Sequence, residues 1–132
     1  MKLRVPGGKV ALISAYAPHS GYCLEDRKQF YDNLREYFRS ISVNGVKLIL
    51  GDLNARLYHR FPGEDEYIGS YHVANSSSNI SANANRYLLL ELCASYNLCL
   101  ANTFFCHPLE RLVTYVDVGY SATDDVLSGG FA

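Results

Sequence analysis

An apolar run, VKLIL, ends at residues 51–54 in Gly-Asp-Leu-Asn, which places a carboxylate, Asp52, two residues before an amide, Asn54. If the extended backbone persists past Gly51, both side chains project to the same side. A carboxylate and an amide so placed at a strand end can hold or activate a water beside a phosphate. By itself, a strand running into an Asp/Asn turn is the commoner reading of these four residues. A phenol, Tyr16, closes an earlier apolar run, KVALISAY, and is followed at once by Pro18 and a His19-Ser20-Gly21 loop.

These side chains have to be positioned by the elements around them. Lys9 to Tyr16 and Val46 to Leu50 read as short buried strands, apolar and bounded by turn formers. Between them, Phe30, Leu34, Tyr37, Phe38 and Ile41 recur at helical spacing from Glu25 to Ile41. Acids at the start and Arg35 and Arg39 toward the end suit the helix dipole. Ser42-Val43-Asn44-Gly45 supplies the stop. Tyr58 to Asn85 reads as one long surface loop, of a length that in compact domains is usually functional or disordered. A second helix is expected from a cap at Asn83 or Asn85 to Tyr96, with Leu88, Leu89, Leu92, Cys93 and Tyr96 as its apolar stripe. Leu98 to Phe105 and Leu112 to Val116 read as further strands, before a turn into Asp124-Asp125-Val126-Leu127.

Composition bounds the class. The 132 residues are 48% hydrophobic and 19% charged, which fits one globular domain with a real core and disfavours disorder. Eleven Tyr and six Phe supply rings that bury a body and, for Tyr, keep a polar tip near water or a partner. The net charge of −1 hides an asymmetry, +5 over residues 1–60 and −6 over 61–132. That split could present a basic face to a polyanion, although ordinary solvated surface carries imbalances of this size. Cys23, Cys93, Cys99 and Cys106 form no C-x-x-C pair and are read as free thiols in a reducing compartment. A zinc site would have to gather His59, His72 or His107 with Cys106 across the fold and is set aside. No secretory segment and no apolar span of membrane length is visible, so no membrane partner is expected.

The order of SAYAPH, LILGDLNA and TDDVL resembles the endonuclease/exonuclease/phosphatase superfamily, and most closely the endonuclease domains of non-LTR retrotransposons and the related apurinic endonucleases. The resemblance spans about Val10 to Leu127 and rests mainly on Gly51-Asp52-Leu53-Asn54 following Tyr16-Ala17-Pro18. It implies an α/β fold, a partial four-layer α/β sandwich of the deoxyribonuclease type with mixed sheets and flanking helices. It also implies metal-dependent phosphodiester hydrolysis of DNA. Carried over, Tyr16 matches the tyrosine near the scissile phosphate, Asp52 and Asn54 the pair that positions and deprotonates water, and Asp124 the acid on a later strand. Thr123 stands before Asp124 where the family has an aliphatic residue, and Asp125 where it has His or Tyr. His19 takes the place of a phosphate-contacting Asn, although a loop histidine beside proline is ordinarily just exposed.

In the family, Mg²⁺ is anchored by an early Asn and Glu, and a late Ser-Asp-His element completes the site. Neither is found in these residues, so the metal ligands here are unknown. The expectation is a single partial domain over residues 1–132, lacking the N-terminal and extreme C-terminal parts and inactive alone. Its parent would be a retroelement product acting on DNA in nucleus and cytoplasm. Two other readings stay open: a non-catalytic domain binding nucleic acid or protein, and a phosphatase or lipid phosphodiesterase of the same superfamily.

Overall fold

A computed structural model describes residues 1–72, 84–108 and 111. Among them lie three strands and two helices: β1 (Lys2–Val5), β2 (Gly8–Tyr16), α1 (Leu24–Ser40), β3 (Val46–Asp52) and α2 (Ala84–Tyr96). The sheet order is β1-β2-β3, antiparallel across the first pair and parallel across the second. This mixed sheet with helices is an α/β arrangement, as expected. The strand β1 goes beyond what the sequence pattern predicts. A Pro6-Gly7 turn, with Gly7 at φ 92°, folds residues 2–5 back on β2 so that Val5 pairs with Gly8 and Lys2 with Ala11. Proline followed by a residue of positive φ is turn chemistry, and Pro6-Gly7 is the local signal for this hairpin.

Parallel strands cannot be joined by a tight turn, and α1 makes the crossover from β2 to β3. Its start is capped by the Cys23 thiol, which accepts from the Asp26 N–H at 3.4 Å, with Glu25 and Asp26 in the first turn and Arg39 in the last. Tyr31, Leu34 and Phe38 face inward. They meet Ile13, Ala15 and Ala17 from β2 and the loop beyond it, and Leu89, Leu92 and Cys93 from α2, in one core. Arg35 ties the two helices together. It pairs with Asp32 at 2.6 Å and with Glu91 at 2.7 Å.

The period of two along β2 and β3 has an unequal outcome. Ala11, Ile13 and Ala15 are buried on the helix side, whereas Val46, Leu48 and Leu50 stay exposed, as do Leu3 and Val5 of β1. β3 is therefore half-buried, not buried as its composition suggests. Apolar residues occupy both faces of the strand, but only the helix face is covered among the described residues.

The expected strand from Leu98 to Phe105 does not form. Leu100 makes a single parallel bridge to Ile68, and Ala101–Phe104 is a 3₁₀ turn. The cause is local. The Thr103 hydroxyl donates to the Leu100 carbonyl at 2.7 Å and its N–H to the same oxygen at 2.9 Å, which closes the turn against the ladder. The long loop from Tyr58 is ordered over the residues described. Its anchor is Arg86, whose guanidinium grips Glu64 with two nitrogens at 2.9 and 2.5 Å and donates to the His59 carbonyl at 2.8 Å. The strand expected at Leu112 to Val116 lies outside the described residues.

Candidate functional site

The C-terminal ends of β2 and β3 converge. Tyr16 and Asp52 are register partners at the last rung of the parallel pair, so the phenol and the carboxylate leave neighbouring strands side by side. Tyr16 is 72% exposed. Ends of parallel strands, where the chain splits toward different connections, are the usual place for a binding crevice in α/β sheets.

Gly51 makes the approach possible. Its φ is 137°, and a Cβ there would lie 1.8 Å from the Ala15 carbonyl oxygen. No side chain fits between these two strand ends.

Beyond Asp52 the backbone does not stay extended. Asn54 has φ 47°, a left-handed conformation that asparagine tolerates better than most residues. The side chains of Asp52 and Asn54 therefore do not simply project together, as an extended path would require. One Asp52 oxygen, Oδ1, accepts the Asn54 N–H at 2.8 Å, which closes an Asx-type turn. The Asn54 amide reaches across to donate to the Ala17 carbonyl at 2.6 Å, and the Ala17 N–H donates to the Asp52 carbonyl at 2.8 Å. The turn is thereby laced to the loop that leaves Tyr16. Asp52 is half-buried, and its second oxygen, Oδ2, takes no part in this turn.

Support comes from beneath. The Tyr31 hydroxyl donates to the Leu53 carbonyl at 2.9 Å, between the two site residues. Burial, helped by the neighbouring Cys93 and Asp52, pushes this phenol well above its ordinary ionisation range, so it remains a donor. From α2, Asn85 donates to the Pro18 carbonyl at 2.8 Å and to the Asn54 carbonyl at 3.1 Å. The sequence offers Asn85 as a helix cap. In the structure it lies inside α2, and its side chain is spent on the two loops.

His19 sits in the loop after β2 and is exposed. Its Nδ1 accepts from the Gly21 N–H at 3.0 Å, and the ring stands edge-on to Tyr22 at 4.9 Å. A neutral ring so held carries its proton on Nε2. Asp124 lies outside the described residues. Arg35 of α1 is held in ion pairs by Asp32 and Glu91.

Among the described residues, no three His, Cys, Asp or Glu side chains form a group that could hold a metal ion. Mg²⁺ takes oxygen ligands, keeps several waters and binds through few protein carboxylates, so the Asp52 carboxylate, with Oδ1 engaged by the Asn54 N–H, has the donor chemistry for one ligand. Comparison of the sequence with protein-family models, with curated proteins and with solved structures finds no match.

Proposed function

We propose that this chain carries the water-positioning part of a phosphodiester hydrolase of deoxyribonuclease type, whose substrate is DNA. The observation that supports this reading best is the rung formed by Tyr16 and Asp52, laced through Asn54 to the loop after Tyr16. In this reading Asp52 accepts a proton from an attacking water through Oδ2, while the Asn54 N–H keeps the carboxylate from rotating. Tyr16, exposed beside it, approaches a phosphate oxygen as a donor. His19 lies at the same end of the sheet and offers Nε2–H as a second donor.

The uncovered apolar face of β1 to β3 supports the finer architectural reading. In a four-layer sandwich that face would pack on a second sheet, burying Leu3, Val5, Val46, Leu48 and Leu50. The proposed parent activity uses Mg²⁺, which supplies charge neutralisation at the phosphate when bound.

A specific observation favours a second reading, a non-catalytic domain that binds nucleic acid or protein. The Asn54 amide and Asp52 Oδ1 are both satisfied inside the protein, as in a purely structural turn. One assay separates the two. Nicking of supercoiled plasmid with Mg²⁺ is measured for the wild type and for Asp52→Ala, with a loss of about 100-fold or more expected on removing a general base. Measurable nicking at equal rates in the two proteins would exclude Asp52 as the general base. Retention on DNA that weakens with added salt, with no nicking, would favour the binding domain.

A further inference from the structure

Asn85 is the second residue of α2 and is 1% exposed. Its amide nitrogen has two hydrogens, and both are used: one on the Pro18 carbonyl, two residues past Tyr16, and one on the Asn54 carbonyl, two residues past Asp52. The orientation of the amide is decided by these partners. Turned over, it would set its oxygen against two carbonyl oxygens. Its Oδ1 is buried and has no hydrogen-bond partner among the described residues. A buried acceptor left unmatched opposes folding, so what the residue contributes is the pair of donated bonds.

We propose that Asn85 is a positioning residue that fixes the distance between Tyr16 and the Asp52–Asn54 turn, a role that rests on the hydrolase reading of that site. The helix is a rigid reference for this purpose, because Leu89, Leu92 and Cys93 of α2 are locked into the core. The two loops are hydrogen-bonded to each other at Ala17, whose N–H donates to the Asp52 carbonyl and whose carbonyl accepts from the Asn54 amide. Asn85 holds both from a third element. Without it, the left-handed Asn54 backbone loses the donor on its own carbonyl, and the carboxylate that depends on the Asn54 N–H becomes free to turn.

The test uses the full chain and Asn85→Leu, which keeps the bulk and removes the donors, with Asn85→Ser read in the same way if the first variant does not fold. Amide hydrogen exchange is followed at Asn54 and Ala17, and at Phe38 and Leu92 as internal references. Expected is exchange about 10-fold faster at Asn54 and Ala17 with the references unchanged, the signature of a local opening. In the plasmid assay kcat falls by about 10- to 100-fold with KM little altered, as misplacement of a reacting group requires. Unchanged exchange at Asn54 and Ala17, or equal acceleration at all four amides, overturns the proposal. Local acceleration in the variant, together with a wild type that does not nick DNA, upholds the tie and counts against the hydrolase reading instead.

Discussion

Tyr31→Phe removes one oxygen atom from a fully enclosed ring and leaves its shape intact. The Leu53 carbonyl then loses its donor at 2.9 Å, with Leu53 itself buried. An unmatched buried acceptor costs about 1–3 kcal/mol, which is the expected loss of stability at neutral pH. The pH dependence sharpens the test. Burial first, then Cys93 and Asp52, raise the folded phenol above its ordinary value of 10.0. A raised folded value means that the unfolded chain gives up this proton sooner. The stabilisation is therefore complete below the unfolded value and declines as pH climbs past it. Each pH unit above about 10 removes about 1.4 kcal/mol from the wild type and nothing at this position from the Phe variant. Urea unfolding of both proteins at pH 7 and pH 11 should show the wild type ahead at pH 7 and the gap narrowed by about 1.4 kcal/mol at pH 11. Comparing the pair cancels the other tyrosines. Equal midpoints at pH 7, or a gap independent of pH, would refute the reasoning.

Gly51→Ala forces a Cβ to within 1.8 Å of the Ala15 oxygen at a φ of 137°, so urea unfolding should show a loss of about 3 kcal/mol or failure to fold. Glu64→Leu leaves the Arg86 guanidinium, 3% exposed, without its carboxylate, and a loss of about 3 kcal/mol is expected in the same assay. Cys93 is buried and its thiol is pushed up to about 12, by burial first and by Cys99 second, whereas Cys23, Cys99 and Cys106 are exposed. A thiol reagent at pH 8 should label those three quickly and reach Cys93 only after denaturant is added. The raised thiol also stabilises the fold fully below pH 9, with that contribution declining between about pH 9 and 12 as the unfolded thiol ionises; Cys93→Ala should flatten this part of the stability profile.

Much of the fold is legible in the sequence because its elements are locally encoded. The helical spacing of Phe30, Leu34 and Phe38 and the acids at 25 and 26 predict α1, found at Leu24–Ser40. The run at 46–50 predicts a strand that in fact continues to Asp52. What escapes such reading is a specific hydrogen bond or pairing partner that composition and periodicity do not show. Residues 98–105 have strand composition, yet one hydroxyl, that of Thr103, diverts them into a turn after a single bridge. β1 is hidden because four residues gain strand geometry only by pairing with β2. Whether Val46, Leu48 and Leu50 are covered cannot be read from their apolarity, since that depends on what packs there.

The candidate site divides in the same way. Residue types and order alone mark Tyr16, Asp52 and Asn54, because a phenol and a carboxylate–amide pair at strand ends are visible as letters. Tertiary structure decided that Tyr16 and Asp52 share a rung and that Asn54 turns left-handed to grip Ala17. It also decided that Asn85 and Tyr31 hold the turn from two helices. The physical reason is that hydrogen bonds between residues 22, 31 and 67 positions apart leave no periodicity in the chain. Their donors look, in sequence, like a helix cap and one more core aromatic.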